Sequence, residues 1–235
     1  VIAPEPHRSA LDVLSSWFDA VFADIDRMSS GFRSSLENDA ETVADVASTA
    51  RRRRDELKQF ARQFLDGHPR ADGAGLVLAR SGDTLRGAIE WWGHGDASEV
   101  TRYTFGMDPT SDRFYDYEQL EWFVEPLGSR RHWVTGPYID YLGIDDYIVS
   151  LTSPCIVGGR AIGVAGSDFK MTEFERELLP VLRQFPQRAV LLNPHGTVLV
   201  SNSARWTSGD RFDDASFAAL SRTREISGTV TVAYE

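Results

Sequence analysis

A chain of 235 residues can bury a sizeable core, as one large domain or two small ones. With 42% hydrophobic and 26% charged residues and a mean hydropathy of −0.30, it has the make-up of an ordinary globular protein. A net charge of −10 and a pI near 5.0 set its surface against a phosphate backbone or an anionic membrane, which excludes nucleic acid as a partner.

The first third reads as helix. Ser9 and Asp12 have the spacing of a capping box, and apolar residues follow at Leu11, Leu14, Phe18, Val21, Ile25, Met28 and Phe32. Their alternating three- and four-residue spacing is a heptad seam, which suits either packing within the chain or a parallel homodimer. Ser29-Ser30-Gly31 weakens the end of this helix. A second helical stretch is expected from about Glu41 to Leu65, and the run Arg51 to Arg54 on it reads as a solvated face.

From residue 72 the period changes to that of strands. Gly75 to Ala79, Ala88 to Trp92 and Val100 to Phe105 are strand candidates rich in β-formers. The clearest local signal is a hairpin, Tyr147 to Val157 and Arg160 to Asp168, turned by Gly158-Gly159. Pro154 inside it requires a bulge or an unpaired edge. The lone Cys155 rules out an internal disulfide and reads as a small core residue. A helix over Thr172 to Arg183 is expected to be capped by Thr172 with Glu175. A smaller α/β unit follows: strand Ala189 to Asn193, turn Pro194-His195-Gly196, strand Thr197 to Ser201, helix Ala215 to Leu220 and strand Gly228 to Tyr234. Ending on that strand, the unit looks incomplete. The expected class is α+β: a helical region over residues 1–70, a PAS-like module with an antiparallel sheet over 71–184, and a smaller PAS-like module over 185–235.

Between Trp91 and Tyr147 aromatic residues alternate with acidic ones, among them Tyr115, Trp122, Phe123, Tyr138 and Asp140. Aromatic faces with carboxylates suit a cation, each well-placed ring adding about 0.5–2 kcal/mol. Asp168, at the end of a strand where aspartate is disfavoured, is the proposed anchor. The sequence contains no phosphate-binding glycine loop and no nucleophile elbow, and its five histidines are scattered without metal-ligand spacing. His94 and His132, which could approach in space, read as polar loop residues.

The segments Tyr115-Asp116-Tyr117, Trp122-Phe123, Thr135 to Asp140 and Gly163 to Asp168, in that order and with those separations, resemble the double-Cache (PDC) sensor family over roughly residues 75–180. The resemblance implies an extended-PAS fold and a ligand site at Tyr115, Trp122, Phe123, Tyr138, Asp140 and Asp168. Two positions depart from the amino-acid-binding pattern. Phe123 lacks the hydroxyl of the family's second aromatic, and Leu120 stands where an arginine would hold a ligand carboxylate. The expected ligand is therefore an amine or amino-acid-like molecule held by its ammonium, with no cofactor, and the signal would pass to a regulatory partner not contained in this chain. The rival reading is an enzyme or enzyme subunit acting on a small amine or aromatic substrate. No apolar run reaches the ~20 residues that span a bilayer, and Val1-Ile2-Ala3-Pro4 is no signal peptide. Either a stand-alone cytoplasmic sensor or an ectodomain separated from its anchor fits.

Overall fold

The structure, a computed structural model, describes residues 6–37, 46–80, 89–94, 99–141 and 146–235. Helix α1 (Pro6–Glu37) takes up the heptad seam. It begins at Pro6, so Ser9 lies inside the helix and the Ser9–Asp12 capping box is not its start. It also runs through Gly31, where a side chain would come within 2.5 Å of the Phe60 ring. The glycine is what lets the next long helix approach. Leu11, Leu14, Phe18, Val21, Ile25, Met28 and Phe32 are each at most 3% exposed within this single chain. That settles the use of the seam: its side chains pack on the chain's own sheet and helices, and they are not presented to a second copy.

Helices α2 (Val46–Arg52) and α3 (Arg54–Gly67) replace the expected continuous helix, with a break at Arg53; the expected start at Glu41 lies outside the described residues. Leu57, Ala61, Phe64 and Leu65 bury one face of α3 against α1 and the sheet. The arginine run is not uniformly solvated. Arg54 forks onto the Glu90 carboxylate (Nε–Oε2 and Nη2–Oε1, both 2.8 Å), and Arg102 reaches the same group at 2.9 Å. Glu90 is 1% exposed, so two guanidiniums offset the cost of a buried charge.

The larger sheet contains β1 (Gly73–Leu78), β2 (Ile89–His94), β3 (Val100–Arg102), β4 (Trp133–Ile139), β5 (Tyr147–Val157) and β6 (Arg160–Lys170). All pairs are antiparallel in the order β3-β2-β1-β6-β5-β4. The expected residue Ala88 lies outside the described set. Gly158 and Gly159 turn the β5–β6 hairpin with φ of 56° and 79°, as the sequence requires. Pro154 sits beyond the last β4–β5 pair, Trp133 with Thr152, and next to a bulge at Cys155/Ile156. Its missing donor is therefore not needed on that side. β6 continues to Lys170, which places Asp168 within the sheet, between Gly73 and Ser150, and not at a strand end.

The two faces of this sheet differ. Leu151, Ser153 and Cys155 lie under α1, where burial pushes the Cys155 thiol up to about 11. The opposite face carries α4 (Glu121–Ser129), introduced by a 3-10 turn at Tyr117–Gln119. Helix α5 (Met171–Leu182) starts straight from β6 with Lys170 as N-cap and no side-chain cap, so Thr172 is inside the helix and does not cap it.

A second sheet follows: β7 (Ala189–Leu192), β8 (Val198–Ser201), β9 (Arg222–Ile226) and β10 (Val230–Tyr234), in the order β8-β7-β10-β9, with α6 (Asp214–Ala219) capped by Asp213. β9 was not expected. It pairs with β10 and leaves that strand flanked on both sides, so the sheet is closed around the strand that looked free. Its apolar face is filled by Trp206 and Phe212. Asn193 ties the two sheets together by donating from Nδ2 to the Gly136 carbonyl at 2.7 Å. The architecture is α+β, a long N-terminal helix and two antiparallel sheets.

Candidate functional site

Strand alternation sorts residues onto the α4 face of the larger sheet. Val77 of β1, Ile89 and Trp91 of β2, Ser150 and Thr152 of β5 and Asp168 of β6 share it. On β4 the register gains one residue between Thr135 and Tyr138, so that Tyr138, not Pro137, stands opposite Ile148 and joins the same face. Gly136, with φ of 115°, supplies the backbone this bulge needs.

Above that face the segment from Tyr103 to Trp122 closes over. Its acidic residues act as clamps and do not enter the cavity. Arg80 holds Glu118 (Nε–Oε2, 2.6 Å) and Asp116, and Glu121 accepts from the Trp133 indole at 2.9 Å. The Tyr117 hydroxyl donates to the Leu78 carbonyl at 2.7 Å. These bonds fix Tyr115 and Trp122 over the sheet, with Phe105 stacked on Tyr115 at 5.3 Å between ring centroids.

The result is a cavity of about 370 Å³, its open mouth included, lined by Val77, Ile89, Trp91, Phe105, Tyr115, Trp122, Tyr138, Asp140, Ser150, Thr152 and Asp168. Five of the six residues expected from sequence stand together there. Phe123 does not. It points from α4 into the apolar cluster behind Tyr117, in edge contact at 5.1 Å, and is off the cavity wall. Leu120 also packs on that cluster. Trp91, Ser150 and Thr152 were missed as site residues. The available signal was a period of two: Ser150 and Thr152 alternate with the apolar Val149 and Leu151, and Trp91 alternates with the buried Glu90 and Trp92.

Asp168 is 9% exposed and accepts from Ser150 Oγ at 2.5 Å; Ser150 Oγ is in turn 2.9 Å from the Tyr138 hydroxyl. No cationic side chain pairs with Asp168 among the described residues; nearby Lys170 is engaged by Asp146 (2.9 Å) and Asp72 (3.3 Å). Burial, reinforced by Asp140 and Asp72, pushes the Asp168 carboxyl up to about 8 against the Ser150 bond, which lowers it. Asp140 accepts from the Tyr115 hydroxyl at 3.3 Å. Burial, with carboxylates nearby, raises the Tyr103, Tyr115 and Tyr138 hydroxyls above the usual phenol range, so all three remain protonated donors.

The same wall carries unused donors. Trp91 Nε1, Trp122 Nε1 and Thr152 Oγ1 are shut from water with no hydrogen-bond partner among the described residues; the Trp122 indole faces the Tyr115 phenol without reaching bonding geometry. A buried donor left unpaired costs about 1–3 kcal/mol. Three of them around one cavity, beside two carboxylates, make a chamber that offers both acceptors and donors, two of the donors on the sheet and one on α4.

The histidines are placed elsewhere. His132 stacks on Phe22 and pairs with Asp26 of α1 at 2.9 Å, whereas His94 ends β2 in the other half of the sheet; the two are not brought together. His68 pairs with Asp24 of α1, also at 2.9 Å. No helix among the described residues is long and apolar enough to cross a membrane.

No family model matches the sequence, and no curated protein matches it. Solved structures do match the fold. A structure described as methyl-accepting chemotaxis protein X superposes with a TM-score of 0.62 at 14% identity, over 97% of this chain and 93% of that one. The periplasmic sensory domain of the Campylobacter jejuni chemoreceptor Tlp1 gives 0.58 at 13% identity, over 98% and 96%. The Tlp3 ligand-binding domain from the same organism, in complex with L-norvaline, gives 0.52 at 12%, over 99% and 94%. The chain thus has the fold of bacterial chemoreceptor sensory domains. In particular, it shares their fold of one long helix and two antiparallel sheets, as the double-Cache resemblance implies.

Proposed function

We propose that this chain is the sensory module of a signalling protein and that its larger sheet binds a small ligand bearing an ammonium group. The observation that carries the reading is Asp168, a carboxylate buried in an aromatic chamber with no cationic partner among the described residues. An ammonium would restore the missing charge, and the rings of Tyr115, Trp122 and Trp91 would favour it further. The unpartnered indole and threonine donors suit an acceptor on the same molecule, a carboxylate or an amide. An amine that also carries such an acceptor fits the chamber better than a plain amine, even though Leu120 provides no guanidinium. The fold neighbours support the sensing role: one is a chemoreceptor domain seen with L-norvaline, another the Pseudomonas aeruginosa amino acid chemoreceptor PctC with GABA (TM-score 0.50, 17% identity, 94% of this chain and 92% of that one). The division at residues 70/71 and 184/185 belongs to the same proposal, with ligand taken by residues 71–184 and the signal passed on through α1 to a regulatory partner. The setting we propose is extracytoplasmic, as for the periplasmic domain of Tlp1.

The test is a thermal-shift and calorimetric screen of amino acids, matched amines and matched carboxylic acids. A ligand at about 100 times its dissociation constant adds about 2.7 kcal/mol of stability. Saturable stabilisation by ammonium-bearing compounds without their consumption is the expected result. Tight binding of acids lacking an amine would overturn the specificity, and turnover of the compound would make the protein an enzyme.

A further inference from the structure

A second cleft lies away from the chamber, at the junction of α1, the α4–β4 corner and the β9–β10 turn. It measures about 730 Å³ including open solvent and is lined by Asp26, Arg130, Arg131, His132, Ser153, Pro154, Ser227, Gly228 and Thr229. Three features give it a chemical character. Arg130 and Arg131 are adjacent, exposed and outside the ion pairs found among the described residues, although the chain as a whole carries a charge of −10. The backbone turns sharply at both walls: Arg130 has φ of 55°, and Ser227 and Gly228 have φ of 51° and 66°. Arg131 reaches across, with Nη2 3.5 Å from where a side chain on Gly228 would begin. Lastly, the Thr229 hydroxyl in the wall is buried, in a residue 7% exposed, and has no hydrogen-bond partner among the described residues.

The single acidic lining group is already engaged. Asp26 accepts from Ser153 Oγ (2.6 Å) and pairs with His132 Nε2 (2.9 Å). Burial raises its carboxyl, but those bonds outweigh it, so Asp26 stays ionised. We propose that this cleft is a second ligand site, for a small multivalent oxyanion of the phosphate or dicarboxylate class, held by the Arg130 and Arg131 guanidiniums and the Thr229 hydroxyl. Two guanidiniums present several donors to such an oxyanion, and the hydroxyl supplies one more. An anion there would bridge the β9–β10 turn of the second sheet to the α4–β4 corner of the first. The site would act as an input separate from the ammonium chamber, and it does not depend on that chamber's assignment.

Inorganic phosphate and succinate are the probes. Each is titrated into the whole chain by calorimetry and by NMR of the arginine Nε–H and Thr229 methyl signals, against sodium chloride of equal ionic strength. Saturable binding of at least one probe is expected, with shifts confined to Arg130, Arg131 and Thr229; whichever binds tighter fixes the source chemistry. The double variant R130Q/R131Q should weaken binding at least tenfold, T229V a few-fold, and R8Q, an exposed arginine elsewhere on α1, not at all. T229V keeps the side-chain shape and removes an unpartnered hydroxyl, so it folds even where the double variant does not. Equal responses to sodium chloride and to the probes, or unchanged affinity in T229V and in a folded R130Q/R131Q, would overturn the site.

Discussion

If Asp168 anchors an ammonium, binding and proton release are coupled, and the coupling has a predictable size. With its carboxyl pushed up to about 8, about nine in ten copies of the empty chamber carry the proton on Asp168 at pH 7. A bound ammonium needs the ionised form, so the proton must leave. Affinity should then rise by up to tenfold, about 1.4 kcal/mol, for each pH unit between about 5 and 8, and level off above. Calorimetry in two buffers of different ionisation heat should show close to one proton released below pH 7. Asp168→Asn keeps the shape and removes the titration. Its affinity should be independent of pH, weaker than wild type by about ten- to a hundredfold at pH 8, the worth of a charge-assisted bond of ~1.5–3 kcal/mol, and tighter than wild type near pH 5. Stability should move the other way. The fold holds a proton that the unfolded chain releases near the usual 3.8, so the contribution of Asp168 to stability is fully present below about pH 4 and is lost as pH rises to about 8. The loss is of order a few kcal/mol, and Asp168→Asn should lack it. A wild-type affinity that is flat from pH 5 to 8, with no buffer dependence of the heat, would refute the anchoring role.

Other perturbations test the frame around the chamber. Arg54→Ala leaves the buried Glu90 with Arg102 as its guanidinium and should lower stability in urea by about 2–4 kcal/mol, while Glu90→Gln should cost less because it removes the charge itself. Leu14→Ala, at a position with no exposure, should cost about 2–5 kcal/mol in denaturant unfolding and leave the sedimentation coefficient unchanged, since the seam is spent within the chain. Gly31→Ala forces a methyl into the Phe60 ring and should lower the melting temperature, at a cost of about 1–3 kcal/mol. Tyr138→Phe removes the hydroxyl bonded to Ser150 and should cost about 1 kcal/mol of stability and weaken ligand several-fold in the calorimetric assay.

What the sequence displayed, it displayed through local periodicity. The β5–β6 hairpin was legible because a run of strand-forming residues lies on each side of two glycines whose positive φ is required. The α1 stripe was equally legible, but its destination was not: a heptad pattern records an apolar face and is silent on what covers it. β9 was invisible because Arg222-Thr-Arg-Glu-Ile226 is an outer strand with four exposed residues, and its signal lies in backbone pairing with β10. Arg54 looked like part of a solvated run because its partner, Glu90, is thirty-six positions away. In the candidate site, Tyr115, Trp122, Tyr138, Asp140 and Asp168, which line one cavity, were reached through the family resemblance and the aromatic–acidic pattern, whereas α4 and β4, which carry Trp122 and Tyr138, were not read as elements. Phe123 illustrates the limit. Neighbours on a helix differ by about 100° in direction, so Trp122 facing the cavity turns Phe123 away from it.

The one-residue bulge in β4 gives the chamber a discrete setting. Tyr138 faces the cavity because one extra residue separates it from Thr135 in the pairing with β5. Smoothing that bulge out would bring Pro137 opposite Ile148 and swing the tyrosine to the far side of the strand. A strand cannot do this by degrees, since its side chains point one way or the other. A one-residue slip of β4 past β5 would therefore act as a binary lesion on the Tyr138–Ser150–Asp168 chain, whereas deleting Gly136 would set Pro137 opposite Val149, keep Tyr138 opposite Ile148 and remove only the bulge.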